Sequence, residues 1–251
     1  NLVDMYDMVD GSSPFASYDE TGAPVYSGTS SPAPNEAATY DDAFPWSNRD
    51  PRLAASVLYH GASWGDGSIN VIRGQKDNPI GNANATPTGY YVRKYIPENI
   101  LAASRTGSSY RNWIFIRYAE ILLNYAEAEN EANGPSVAVY EALDAVRHRA
   151  GITGNVEDRS DLTSSKLALR HFIRKERAVE LAFEEHRFWD FRRWNVAEKA
   201  LGRAVYGVDV ASDGRASRKV VQERVFENRM YLYPIPEAEV WKTNIENNPS
   251  W

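Results

Sequence analysis

The sequence contains no cysteine. Disulfides, thiolate metal sites and a cysteine nucleophile are therefore excluded, and the redox compartment is unreadable. Only four histidines occur, none at HxxxH or HExxH spacing, so the usual ligand pattern for zinc is missing. No apolar run approaches the roughly 18 residues of a membrane span. The first residues, NLVDMYDMVDG, also lack a basic stretch leading into an apolar one. Positive charge is not in excess, since Asp+Glu number 34 against Lys+Arg 28, a net charge of −6. Such a chain offers no basic field to phosphate backbones, and nucleic acid is not an expected partner. A glycine-rich phosphate loop is absent too.

What is present is enough apolar material, 43% of 251 residues, to bury a substantial core. It is unevenly distributed. Residues 1–112 are rich in Gly, Pro, Ser, Asn and Asp and read as loop with short elements. Ser30 to Pro34 (SSPAP) suits neither helix nor central strand, and Asp77 to Gly89 (DNPIGNANATPTG) is a turn-rich loop. Asp50 before Pro51 reads as an N-cap and first-turn pair opening a short helix, PRLAASVLY. Tyr90 to Ile96 (YYVRKYI) reads as a strand.

Residues 113–251 have a helical texture, and the two regions are expected to form one integrated domain. Tyr118, Ile121, Leu122, Tyr125 and Ala126 fall at helical spacing, with Glu120, Asn124 and Glu127 expected outside. Gly134 and Pro135 break that helix. A second, from about Ser136 to Ala150, turns Val139, Leu143 and Val146 inward. Its last turn carries Arg147, His148 and Arg149, which suit the negative helix end, and Gly151 is placed to cap it. Beyond Trp194 a helical remainder is expected to fade into a polar loop, VYGVDVASDGRASR, before a tail that packs Tyr231, Tyr233, Pro234 and Trp241 onto the body.

Between these lies LALRHFIRKERAVELAFEEHRFWDFRRW, Leu167 to Trp194, read as one long helix. At about 100° per residue, Leu169, Phe172, Ile173, Phe183 and Phe191 share a face, and Glu176, Glu180 and Arg187 fall in its middle. Arg170, His171, Arg174, Lys175 and Glu185 take the other side and are expected in solvent. The inward face must then bury ions. Each needs a partner, for which Arg177, Arg187, Arg192 and Arg193 are the nearest candidates. The plainer alternative is a solvated face laced by i,i+3 and i,i+4 pairs.

Motifs for catalysis do not survive inspection. Gly61-Ala62-Ser63-Trp64-Gly65 matches G-x-S-x-G, but DGSIN after it is turn-like where a nucleophile elbow needs a helix. Asp209 to Gly214 echoes a calcium loop, yet Ala211 and Val220 occupy ligand positions and cannot ligate through their side chains. Glu176, Glu180, Glu184 and Asp190 alternate with arginines, which would keep them ionised and unsuited to general-acid work. The remaining signal is aromatic content of 12%, with Tyr40, Phe44, Trp46, Tyr59 and Trp64 in or beside the first-half loops. A flat aromatic face with a polar edge suits a sugar ring, although each of these residues could equally pin its loop to the core.

The long segment, together with RNWIFIRYAEILLNYAEAENEA before it and YLYPIPEAEVWKTNIENNPSW at the end, resembles the carboxyl-terminal part of SusD/RagB-family proteins. VDMYDMVDG, NRDPRL and TGYYVRKY extend the likeness almost end to end. The resemblance implies a mainly α, SusD-like fold: a tetratricopeptide-like helix pair plus a long helix, a large loop-rich region and a few short strands. It implies that the family's amino-terminal half, with its lipid-attachment cysteine and further helices, is absent, so that the pair over 113–150 should show uncovered apolar surface. It further implies non-catalytic capture of an oligosaccharide or polysaccharide by a surface lipoprotein of the outer membrane, for delivery to a SusC-like TonB-dependent porin. No cofactor is expected, with a loop-built calcium site left open. Trp46 and Trp64, then Tyr40, are the expected sugar platforms, with Asn48 and Arg49 at the hydroxyl rim. A peptide-binding RagB-like protein, a helical-repeat interaction scaffold and an enzyme are the alternatives, in that order.

Overall fold

The computed structural model describes residues 1–26, 31–97 and 112–251, so Ser30 and the stretch 98–111 of the loop-rich region lie outside it. In chain order the helices are α1 (Leu2–Met5), α2 (Pro51–Ser56), α3 (Tyr118–Asn133), α4 (Val137–Arg149), α5 (Ser160–Thr163), α6 (Lys166–Glu180), α7 (His186–Arg193), α8 (Ala197–Leu201) and α9 (Glu237–Thr243). Strands β1 (Val57–Leu58) and β4 (Tyr91–Val92), β2 (Ser63–Trp64) and β3 (Gly67–Ser68), and β5 (Val205–Val210) and β6 (Ala216–Gln222) pair antiparallel as separate two-stranded ladders. The architecture is mainly helical, as expected.

α6 is its axis. One side packs Leu169, Phe172 and Ile173 against Leu123, Val139, Leu143 and Val146 of the α3–α4 pair. Its C-terminal turns, through Ala178 and Val179, meet Val3, Met5, Tyr6, Leu53 and Val57. The side expected in solvent is covered as well. The segment before residue 24 runs so close that a Cβ on Gly22 (φ +77°) would sit 2.5 Å from the Lys175 backbone nitrogen. Lys175 is consequently buried, whereas Arg170, His171 and Arg174 are half-buried and Glu185 is exposed.

The expected single helix from Leu167 to Trp194 is broken. Phe183 (φ +63°) and Glu185 (φ +66°) adopt left-handed backbone around Glu184, and α7 leaves in a new direction. No glycine or proline forces this turn. Tertiary pairing does: Glu184 is held by Lys94 and Arg117, and Asp190 of α7 reaches back to Arg177 of α6. Phe183 is thereby left exposed, and Phe191 packs in a separate cluster with Val196 and Ala197.

α2 opens as read, with Pro51 in the first turn and the Asp50 carboxylate accepting from the Arg52 amide at 2.9 Å. α3 and α4 turn at Gly134 (φ +83°), and Val139, Leu143 and Val146 are buried. The phase of α3 differs from expectation. Leu123, Ala126 and Asn130 point inward, Tyr118, Ile121 and Tyr125 are exposed, and Glu127 is half-buried beneath Arg193 and Trp194. The polar loop expected after α8 is the β5–β6 hairpin, whose Tyr206, Val208 and Val210 alternate into the core around a turn at Gly214 (φ +85°). Of the tail aromatics, Tyr231 packs beside Phe226. Tyr233 and Trp241 stay exposed, and α9 buries none of its residues.

Candidate functional site

The charges that the wheel placed inside α6 belong to an ion network that sets the frame for everything above it. Glu176 accepts from Arg52 at 2.5 Å and from Arg147 at 3.1 Å. Glu180 accepts from Arg52 at 2.9 Å, from Arg149 at 2.8 Å and from Arg117. Asp7 bonds Lys175 and, at 2.9 Å, Arg147. The partners of Glu176 and Glu180 are thus not the neighbouring arginines. Arg177 and Arg193 serve Asp190 instead, Arg192 donates to the Met230 carbonyl, and Arg187 donates to the carbonyls of Thr21 and Arg174. With no direct carboxylate partner, the half-buried Arg187 guanidinium is pushed down to about 9 by burial.

Burial alone would raise the Asp7 carboxyl, but Lys175, Arg147 and Arg159 reverse this and hold it at about 2. Asp4 is likewise lowered against burial by Arg218 and by the Tyr26 hydroxyl. A folded value below the ordinary 3.8 means stability that is complete above about pH 4 and lost as pH falls toward 2. Asp50, which burial raises, opposes the trend. Denaturant midpoints are therefore expected to fall between about pH 4 and pH 2, with Asp7 contributing on the order of 2 kcal/mol. An unchanged midpoint from pH 5 to pH 2.5 would contradict this.

Above the frame lies the aromatic region, placed by β1–β4 and the β2–β3 hairpin. Trp46 is half-buried and stacks on Tyr59 at 5.7 Å between centroids, with His60 edge-on at 6.1 Å. Trp64, on β2, is half-buried. Both tryptophans pack on the same cluster of Leu58, Ile69, Val71, Val208 and Val210. Beside Trp46, His60 carries a buried Nδ1 without a hydrogen-bond partner among the described residues.

The other sequence candidates sit apart from this region or are already engaged. Tyr40 is half-buried against Phe15, and its hydroxyl donates to Asp42 and accepts from Arg218, both at 2.9 Å. Asn48 is exposed in left-handed backbone (φ +55°), and its carbonyl accepts from Val9. Arg49 is buried, its guanidinium donating to the carbonyls of Val3, Tyr6, Asp7 and Pro45. Four hydrogen bonds from its five donors leave little for a ligand, and Arg49 clamps the loop that carries Trp46. Tyr59 belongs to the loop aromatics that the sequence singles out, though not to the expected platforms, and His60 is not singled out by the sequence. Ser63 of the G-x-S-x-G match lies on β2, followed by a hairpin turn and β3.

A cavity of about 930 Å3 opens beside the α6–α7 turn, lined by Leu2, Leu181, Phe183, Phe188, Trp189 and Tyr206 among others. Its walls are mainly apolar, with Thr21, Thr88, Glu185, Arg203 and Arg224 as polar groups among the lining. Among the described residues no group of three or more His, Asp or Glu side chains could hold a metal ion, and no helix is long and apolar enough to cross a membrane.

The fold is thus a mainly helical frame around buried ions that carries loop-borne aromatics. The SusD family model matches residues 1–251, and the chain belongs to that family. It is 31% identical over 165 residues to SusD-like protein P2 of Formosa agariphila, covering 64% of this chain and 30% of that protein. A SusD-like protein of Bacteroides fragilis NCTC 9343 superposes with a TM-score of 0.76 at 30% identity, over 100% of this chain and 46% of that one. A SusD-like carbohydrate binding protein of the same organism gives 0.66 at 26% identity, over 95% and 45%. The chain thus spans less than half the length of these relatives.

Proposed function

We propose that this chain supplies part of a non-catalytic glycan-binding surface of an outer-membrane lipoprotein, which captures an oligosaccharide or polysaccharide and passes it to a SusC-like TonB-dependent porin. The observation that supports it is the pair of half-exposed tryptophans on one apolar cluster, in a family with a carbohydrate-binding member. A pyranose laid on Trp64 would bury its C–H face and leave its hydroxyls to the side chains around it. Asn48 and Tyr40 would contact only a longer chain, and Arg49 acts by holding the loop.

Isothermal titration against panels of oligosaccharides and oligopeptides tests the reading. Trp64→Ala is expected to weaken binding of the cognate glycan by about 1 to 3 kcal/mol, with a small change in stability. Trp46→Ala is expected to weaken binding similarly and also to lower stability, because it removes the stack on Tyr59. Unchanged affinity in both variants would make these tryptophans purely structural. Binding of peptides but no glycan would favour the RagB-like alternative, and shortened products in chromatography would indicate an enzyme.

A further inference from the structure

The loop from Asn70 to Asn82 is closed on itself. The Asp77 carboxylate accepts from the Asn70 amide at 2.7 Å, the Asn78 side chain donates to the Val71 carbonyl at 3.0 Å, and that of Asn82 donates to the Lys76 carbonyl at 3.2 Å. Gly81 comes so close that a Cβ there would sit 2.3 Å from the Gln75 carbonyl oxygen. From outside the loop, the Tyr91 hydroxyl donates to the Asp77 carbonyl at 2.9 Å. Backbone fixed from so many sides gives the side chains it carries a constant point of departure.

Lys76 is the residue that this loop sends to the β2–β3 hairpin. Among the described residues, and chain neighbours aside, its Nζ alone comes within 4 Å of the place that a Cβ on Gly67 would take, at 3.9 Å. Gly67 pairs directly with Trp64, and side chains so paired share one face of the ladder about 5 Å apart. The ammonium therefore stands on the face that carries the indole, one cross-strand step from it. A larger residue at 67 would fill that place.

The ammonium is also uncommitted. Its nearest carboxylate is Asp77 at 4.0 Å, the outer limit of an ion pair, and the Oδ2 concerned already accepts from Asn70. No hydrogen bond engages Nζ among the described residues, and 66% of the side chain is in solvent. Asp66, exposed in the turn of the same hairpin, forms no ion pair with it. Neutral hydroxyls are served as well by amides and hydroxyls. An ammonium adds Coulombic attraction only where the ligand carries negative charge.

We propose that the sugar stacked on Trp64 is acidic, bearing a carboxylate or a sulfate ester that Lys76 meets, and that Lys76 thereby selects charged over neutral glycans. This rests on the glycan-binding reading above and narrows its substrate class. Lys76 is a point charge and not a planar fork, so it does not itself separate carboxylate from sulfate.

The test is titration calorimetry of the protein with three sets of oligosaccharides: uronates (oligogalacturonate and oligoalginate), sulfate esters (carrageenan oligosaccharides) and neutral chains (xylo-, galacto- and malto-oligosaccharides). At least one acidic set is expected to bind about tenfold tighter than every neutral one, and to weaken as sodium chloride rises from about 0.05 to 0.5 M. Which acidic set responds decides between carboxylate and sulfate. Lys76→Met is expected to lower that affinity about tenfold, with Tm within about 1 °C of the parent because the side chain is exposed. Lys76→Arg, which keeps the charge, is expected to retain most of the affinity. Neutral chains bound as tightly as acidic ones, or an acidic ligand untouched by Lys76→Met, would overturn the assignment and leave glycan capture standing. No binding from any set would overturn glycan capture and this assignment together.

Discussion

Replacing Asp7 by alanine is expected to destabilise the protein by about 3 to 5 kcal/mol, the range for removing one partner of a buried ion pair. Asp7, Lys175 and Arg147 each have only 2% of their side-chain surface in solvent. Without the carboxylate, Arg147 still has Glu176 at 3.1 Å. Lys175 keeps only the Ser13 hydroxyl at 3.2 Å and the rings of Tyr18 and Phe172, which cannot neutralise it. The ammonium, already pushed down by burial, must then lose its proton or draw water inside. Urea denaturation of Asp7→Ala beside the double variant Asp7→Ala/Lys175→Met separates these effects. The double variant is expected to recover part of the loss, because no charge is left stranded. A loss below about 1 kcal/mol in the single variant would mean that water reaches Lys175 in the native state.

Glu180→Ala is expected to cost roughly 3 kcal/mol, the lower end of the same range. Arg52 retains Asp50 at 2.6 Å and Glu176 at 2.5 Å, and Arg117 retains Glu184 at 2.8 Å. What remains is three guanidinium groups gathered where a carboxylate stood, two of them mostly removed from water. Arg149 is 59% exposed in that trio, so Arg149→Ala is expected to change stability by less than about 1 kcal/mol. Thermal or urea unfolding of the two variants side by side is the check. Equal small losses would return Glu180 to the solvated-face reading.

The helical wheel over 167–194 placed Glu176 and Glu180 on the inward face correctly, because the period of a helix is a property of its sequence. It could not name their partners. Arg52 lies 124 residues from Glu176, and distance along the chain carries no information about which loop folds over a helix. The same limit misplaced Lys175, which is polar by pattern and buried only because the segment around Gly22 covers it. On α3 the sequence holds two interleaved apolar stripes, and the packing of α4 and α6, not the pattern, selects Leu123 and Ala126 over Ile121 and Tyr125. The β5–β6 hairpin has its own sequence signal: VYGVDV is a β-branched run, and Ser-Asp-Gly follows as a turn signal.

The site divides along the same line. That Trp46 and Trp64 stand in loop-like sequence could be read from the glycines, prolines and aspartates around them. That both rest on one cluster required β1, β2 and β5 to converge, and that Arg49 is taken up by four carbonyls required α1 and the 45–49 turn to meet. By itself the sequence determined what depends on neighbours along the chain: helix periods, the Asp50–Pro51 start, the break at Gly134, the need for buried charge to be paired, and the family. Only the tertiary structure decided what depends on neighbours in space, namely which acid meets which arginine, where α6 gives way to α7, and which aromatics stay exposed. Those outcomes rest on desolvation and packing between segments far apart in the chain, whose energies exceed any local preference.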